Sequence, residues 1–216
     1  MYRVFALLAA TSALSNQALA EDQALGARVG TLGFAVEYTY TLSDRIGLRG
    51  SINGAGYGFD AEESGIDYAF DLNWDSLSVG VDFHPTRGPL RLSLGLLKND
   101  NSLSAQSRLA GNVDIGGTIY TPAEVGTLRG EIGFDSLAPL AGVGWDWSRK
   151  HDRFGIAFDL GVVSQGAPRV TLTADGLLAS DSVFQSDLAT ERSELEAELD
   201  GLDLVPFASL GFIFRF

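Results

Sequence analysis

The chain ends in LVPFASLGFIFRF, residues 204–216, a stretch whose side chains alternate with a period of two. That period indicates a β-strand, because successive side chains leave a strand on opposite faces. One face is apolar and aromatic, whereas the other is mixed and carries Arg215. The stretch fits either a soluble β-sandwich or a membrane barrel, so the remaining segments decide the fold.

The amino-acid composition favours some classes of protein over others. The 216 residues are 45% hydrophobic with a mean hydropathy of +0.11, and beyond the N-terminus no apolar run approaches the roughly 20 residues of a transmembrane helix. Strands that place lipid-facing residues at every second position produce this combination. The absence of Cys excludes disulfides and thiolate metal sites, and the net charge of −13 argues against a nucleic-acid partner.

The N-terminus has the pattern of an export signal. Arg3 supplies a positive charge, a short apolar core follows, and residues 18–20 (Ala-Leu-Ala) form a small-x-small cleavage site. We therefore predict a signal peptide at residues 1–20 and a single domain at residues 21–216.

Alternating segments recur along the domain, and the connections between them alternate in length. Three connections are short and three are long, which is typical of barrels with short periplasmic turns and longer extracellular loops. The predicted strands are 32–42, 46–53, 67–84, 90–96, 136–147, 154–162 and 204–216; the short connections are 43–45, 84–89 and 148–153, and the long ones are 54–66, 98–128 and 164–203.

Three local features stand out within these segments. Residues 67–84 hold two alternating runs that are out of phase, which predicts either a β-bulge near residues 75–76 or an extension beyond the bilayer. Residues 113–120 read as a small hairpin. Residues 181–202 read as an acidic helix that Asp181 caps and Gly201 ends.

The hairpin sequence YTLSDRIGLRG at residues 40–50 and the terminal Phe-Arg-Phe resemble small Gram-negative outer-membrane barrels, such as the OmpA-like and OmpW-like proteins. The resemblance implies an all-β, antiparallel up-and-down transmembrane β-barrel of about eight strands, with a short helix in the last long loop and a location in the cell outer membrane. It further implies that Phe216 is read as an assembly signal. Outer-membrane lipid, lipopolysaccharide and the barrel assembly machinery are the partners that it implies.

The predicted strands are one too few for a closed barrel of eight. Only seven strong strands are visible, whereas single-chain bacterial barrels have an even number. The eighth strand stays unassigned: residues 21–31 are short for that role, and a strand hidden in a long loop is the alternative.

Seven charged residues fall on the inward faces of the predicted strands. A charge inside a narrow barrel must be paired or hydrated, and we expect pairs between Asp82 and Arg91 and between Glu37 and Arg49. Four acids against three Arg leave a surplus of one negative charge. The set is Glu37, Arg49, Asp82, Arg91, Asp146, Asp159 and Arg215.

These residues predict a structural or surface-interaction barrel with a plugged interior; the alternative is a narrow porin for small, cationic solutes. We expect no enzyme activity, because His84 and His151 both lie in short turns, away from the long loops. We expect no cofactor and no metal, since the loop acids Asp60, Glu62, Glu63 and Asp67 lack a calcium-loop spacing.

Overall fold

A computed structural model describes residues 23–63, 66–149 and 153–216, so the predicted export signal and His151 lie outside the described residues. Eight antiparallel strands close into a barrel, which confirms the predicted fold class. In spatial order they are β1 (Gln23–Gly30), β2 (Gly33–Ser43), β3 (Ile46–Glu63), β4 (Ile66–Phe83), β5 (Leu90–Asn99), β10 (Leu137–Asp146), β11 (Phe154–Ser164) and β13 (Leu204–Arg215), and β13 pairs with β1 to close the ring.

The eighth strand is β1, the segment that the sequence left undecided. It pairs with β13 from Ala24↔Arg215 to Gly30↔Ser209, and with β2 along its other side. Its alternation is muted because only Leu25 and Val29 supply large outward side chains. With β1 in place, the connections that follow β2, β4 and β10 start at one end of the barrel, here called the turn end. The connections that follow β3, β5 and β11 start at the other end, here called the loop end.

β3 and β4 continue well past the barrel at the loop end. Their pairing runs without a register shift from Ile46↔Phe83 to Glu63↔Ile66, so the predicted bulge near 75–76 is wrong. β4 instead extends past the barrel, which fits the alternative prediction of an extension beyond the bilayer. The loop predicted at 54–66 is also wrong, because this glycine-rich stretch is the outer half of β3. Beyond the barrel the apolar side chains move to the face that continues the lumen, since no lipid covers the outside there.

The extended part of β4 starts a second sheet. It pairs with β6 (Ser102–Arg108), which pairs with β9 (Thr127–Gly133), which pairs with β12 (Arg169–Ala174). We call the outer halves of β3 and β4 together with these three strands the outer sheet.

Two further units complete the loop end. The predicted hairpin is present as β7 (Val113–Ile115) and β8 (Thr118–Tyr120), and its tight turn has two glycines at positive φ. After the one-turn helix α1 (Pro122–Val125), the predicted acidic helix appears as α2 (Ser182–Glu198).

The ends of α2 fit the prediction in part. Asp181 caps its start by accepting hydrogen bonds from two backbone N–H groups. Gly201 does not end it: the C-cap is Leu199, and a 3-10 turn (Asp200–Leu202) follows. Of the helices in the described residues, none is long and apolar enough to cross a membrane.

The barrel is inverted relative to a soluble protein. Large apolar side chains point outward on all eight strands and are exposed, whereas a set of charged side chains within the barrel points inward and is largely buried. Such an arrangement is stable only where lipid surrounds the barrel, so the fold is that of a transmembrane β-barrel. Outward examples include Leu25, Val36, Leu48, Val79, Leu94, Ile156 and Phe212.

Replacing Leu94 by Arg tests the lipid-facing assignment. Leu94 lies in the middle of β5 and is 69% exposed, so an Arg there should cost about 2–4 kcal/mol of folding free energy in a bilayer. The matched control is Leu177→Arg, at a residue 83% exposed at the loop end, where we expect a change within about 0.5 kcal/mol. Folding titrations into vesicles measure both, and equal costs at the two positions would contradict the assignment.

Candidate functional site: the charged lumen and the outer sheet

Arg28 on β1 is the centre of the charged lumen. It donates to both oxygens of Glu37 on β2, at 2.7 Å from Nε and 3.0 Å from Nη2, and through Nη1 to Asp159 on β11. All three side chains are buried. Because β13 lies between β1 and β11, Arg28 reaches across a whole strand to Asp159. It therefore ties together the strands on both sides of the seam where the first strand meets the last.

Arg49 on β3 joins this group to the next strands. Its Nη2 donates to Asp82 Oδ1 and to Ser93 Oγ, each at 2.9 Å, and its Nη1 lies 3.3 Å from a Glu37 oxygen and 3.5 Å from an Asp159 oxygen. Its side chain is 16% exposed, more than any other charged side chain of the network. Arg49 is thus the member of the network most open to solvent.

Arg91 on β5 completes the central cluster. It binds Asp159 through two parallel hydrogen bonds, at 3.0 Å from Nε and 2.5 Å from Nη2. Its Nη1 lies 3.6 Å from Asp82 Oδ2, an oxygen that makes no hydrogen bond within the described residues. Asp159 consequently faces three guanidinium groups.

A second, smaller cluster lies toward the turn end. Arg215 on β13 donates to Asp146 Oδ2 on β10 and to Ser148 Oγ, each at 2.8 Å. Ser148 also donates its backbone N–H to Asp146 Oδ1 at 2.9 Å. Each lumen charge therefore has an opposite charge in contact.

Glycines make room for the central cluster. Each of its six charged side chains is directly paired with a glycine on a neighbouring strand, as in Arg28↔Gly211 and Arg91↔Gly144. The other pairs are Glu37↔Gly26, Arg49↔Gly80, Asp82↔Gly47 and Asp159↔Gly144. A Cβ at position 211 would come within 2.5 Å of Arg28 Cγ, and one at 144 within 2.9 Å of Arg91 Nε. At Gly211 and Gly144 the narrow barrel thus accommodates Arg28, Arg91 and Asp159 because these two positions have no side chain.

All seven charges that the sequence placed inward lie in the lumen, but their pairing differs from the expectation. Asp82–Arg91 and Glu37–Arg49 are in contact, yet Arg91 binds chiefly Asp159 and Glu37 binds chiefly Arg28. The sequence missed Arg28 because β1 was unassigned. The only sign of Arg28 in the sequence was a charged residue at an inward position of a weakly alternating segment. Arg28 also removes the expected acidic surplus, since the lumen holds four acids and four Arg.

Above the central cluster, toward the loop end, lies a cavity of about 80 Å³. Its polar wall includes Ser51, Asn53, Ser78 and Ser209, and Arg49 reaches into it. The cavity is large enough for a few water molecules. Leu32, Leu97, Leu140 and Phe207 also line it, and they belong to an apolar cluster that includes buried Ala138 and Val163.

At the loop end, α2 packs on the outer sheet and forms a separate apolar core. Phe184 and Leu188 of α2 are buried with Ile115, Tyr120 and Val125. Two acidic side chains of α2 bind backbone N–H groups, since Glu191 accepts from Gly116 and Glu196 accepts from Val170, each at 3.0 Å. The helix is therefore held by apolar packing and by neutral donors.

One hydrogen bond at this core shifts two pKa values. Tyr120 donates its hydroxyl to Asp187 at 2.6 Å. That bond stabilises the ionised carboxylate and the neutral phenol, so it lowers the pKa of Asp187 and raises the pKa of Tyr120 to about 12.

The loop end carries most of the negative charge. Residues 54–75, 98–136 and 164–203 hold 20 of the 28 acidic residues but only five of the 15 basic ones. The acids considered for a cation, Asp60, Glu62, Glu63 and Asp67, lie along the outer ends of β3 and β4. No group of three potential metal ligands gathers in the described part of the chain.

His84 does not lie near the loop end, and His151 lies outside the described residues. His84 is buried at the turn end, where its backbone N–H donates to the Arg45 carbonyl at 2.8 Å. Phe216, the expected assembly signal, is 41% exposed beside Phe214, and its backbone N–H donates to the Gln23 carbonyl at 3.1 Å. Its recognition during assembly stays a prediction.

Comparison with known proteins identifies solved structures that share this fold. No protein-family model and no curated protein matches the chain. The solved structure of CarO2 from Acinetobacter baumannii is 20% identical with a TM-score of 0.60, covering 90% of this chain and 98% of that one. CarO from the same organism is 19% identical with a TM-score of 0.59, covering 94% and 100%. Both are eight-stranded outer-membrane barrels, so this chain has the fold of that class of protein.

Removing Arg28 tests its role at the seam. Arg28→Met leaves Glu37 and Asp159 buried with fewer partners, so the free energy of unfolding should fall by about 3–5 kcal/mol. Arg45→Met, at an exposed turn residue, is the control and should stay within about 0.5 kcal/mol. Denaturant unfolding in detergent or vesicles measures both, and a small, equal effect would show that the seam does not depend on Arg28.

The Tyr120–Asp187 bond predicts opposite pH limits for α2 docking. The lowered pKa of Asp187 gives stabilisation that is present above its unfolded pKa and is lost as pH falls through the folded value. The raised pKa of Tyr120 gives stabilisation that is present below about pH 10 and is lost as pH rises through about 12.

Replacing Asp187 by Ala should therefore return the Tyr120 titration toward about pH 10. Ultraviolet titration of the phenol, read as the difference from a Tyr120→Phe variant, measures the midpoint. Asp200→Ala, at an exposed acid beyond α2, is the control and should leave the midpoint near 12. Equal midpoints in the two variants would contradict the assigned bond.

Proposed function

We propose that this chain is an outer-membrane barrel with a closed lumen that presents its outer sheet and α2 at the cell surface and does not pass solutes. One observation carries the proposal: four carboxylates and four guanidinium groups bind one another inside the barrel. The interior of an eight-stranded barrel is only just wide enough for side chains. A paired network in that space leaves little room for a hydrated ion.

The location in the outer membrane rests on the barrel itself. Its apolar exterior requires lipid, and closed antiparallel barrels of this size are the form that outer-membrane proteins take. The predicted export signal at residues 1–20 and the shared fold with CarO support the same location.

The surface role rests on what lies beyond the barrel. The outer sheet and α2 have an apolar core of their own, so they form an ordered platform rather than a set of loops. The platform contains neither His, and we infer that it binds rather than catalyses.

A narrow pore for small solutes is the second candidate, and the polar cavity beside Arg49 favours it. The central charge cluster borders that cavity on the turn side, and apolar side chains around Leu97 border it on the loop side. A conducting path would have to cross the paired charges of the central cluster, which supports the closed lumen over the pore.

Single-channel recording in planar bilayers tests the closed lumen. We expect low or no conductance for the native protein. Arg91→Ser should raise the conductance with a preference for cations, because it leaves one unbalanced negative charge beside Asp159 and Asp82. Arg45→Ser, which removes an exposed positive charge at the turn end, is the control and should stay closed. A large native conductance that Arg91→Ser leaves unchanged would favour the pore.

A further inference from the structure

The outer sheet has one edge that no other part of the described chain covers. β3 has β4 along its whole length on one side, but on the other side β2 pairs with it only as far as Phe34↔Gly54. Among the described residues, no strand pairs with the far side of residues 55–60. Every second residue of an antiparallel strand turns its N–H and C=O away from its partner, so this edge presents backbone groups that can pair with another strand.

The free edge also lacks the features with which proteins usually protect an edge. Residues 56–60 are all exposed, residues 54–67 include no Lys, Arg or Pro, and the pairing with β4 has no bulge. The opposite edge of the same sheet, on β12, is covered: α2 packs against it and Glu196 accepts the Val170 N–H at 3.0 Å. One edge of the platform is therefore covered and the other is open.

The two faces beside the open edge differ in chemistry. On the face that continues the lumen, Tyr57 stacks on Phe59 with ring centroids 5.9 Å apart, and Phe59 stacks on Phe70 at 5.0 Å. Tyr57 is 67% exposed and Phe59 is 42% exposed. The opposite face carries Asp60 and Asp71, and Asp71 is paired with Gly58. An added strand would place alternate side chains over aromatic rings and over carboxylates.

The negative charge around the open β3 edge indicates which kind of strand can bind there. Residues 54–75 hold six acidic residues and no basic one. A second copy of this chain fits poorly, because parallel pairing of two β3 edges would align like charges and antiparallel pairing would invert one barrel in the membrane. A cationic strand from another polypeptide meets neither obstacle.

We propose that residues 55–60 bind an extended cationic polypeptide as an added β-strand, with its apolar side chains on the Tyr57–Phe59 face and its basic side chains on the Asp60–Asp71 face. The inference rests on the proposed surface role and names the class of partner. Backbone pairing supplies affinity that does not depend on sequence, and the two faces select alternating apolar and basic residues.

The test uses the full-length protein in nanodiscs and a fluorescent peptide of about eight residues that alternates Lys and Val. Fluorescence anisotropy should show saturable binding. A peptide of the same composition with its Lys and Val residues grouped should bind about tenfold more weakly, because it cannot match both faces. Two N-methylated versions, one blocked at the Lys amides and one at the Val amides, should differ, since only one set faces β3 in a paired strand.

Charge-reversal variants separate the edge from general attraction. Asp60→Lys with Asp71→Lys should weaken binding about tenfold or more. Glu194→Lys with Glu198→Lys makes the same change in net charge on the exposed face of α2 and should change binding by less than about twofold. Retained heat-modifiable gel mobility confirms that each variant is folded.

The outcomes are distinguishable from those of the conductance experiment. Equal weakening by the two double variants, or equal binding of the two N-methylated peptides, would overturn strand addition at β3. An open native channel would overturn the closed lumen and leave the peptide result to stand on its own.

Discussion

The rest of the structure depends on one constraint: charged side chains inside an eight-stranded barrel must be paired, because the interior leaves little space for water. Arg28, Arg49 and Arg91 meet this constraint by sharing three carboxylates that come from different strands. Each pair therefore fixes the register of the strands that supply it. The network acts as a set of cross-links inside a fold whose outer surface, in lipid, contributes no comparable specificity.

Glycine residues lie opposite the charged side chains of the lumen. The six side chains of the central cluster all face glycines across the strands, so the barrel alternates large ionic groups with positions that have no side chain. A Cβ at Gly211 or Gly144 would occupy the space that Arg28 or Arg91 needs. Glycine in this chain thus serves packing in the lumen as well as turns.

The direction in which apolar side chains point changes along the strands, because lipid surrounds only the barrel. Within the bilayer the apolar side chains face outward, and beyond it the same strands carry them on the inner face, where α2 covers one part of the sheet and leaves the β3 edge open. The proposed closed lumen and the proposed surface role are consistent with each other, since a barrel filled with paired charges would be a rigid base for a surface that binds a partner. The acidic loop end gives that surface a strong preference for positive charge.

The sequence by itself determined the barrel, because a period of two with apolar residues on one face is a local property of each strand. It placed Glu37, Asp82 and Arg91 inward for the same reason, and it placed Asp181 as the cap of α2. Only the tertiary structure decided that β1 is the eighth strand, that Arg28 joins the network and that Arg91 binds Asp159 rather than chiefly Asp82. Those facts depend on the pairing of distant strands across a closed ring, and alternation within a strand carries no information about its neighbours. The sequence also did not reveal that β3 continues through a glycine-rich stretch. Pairing with β4, and not the local strand propensity, keeps that stretch extended.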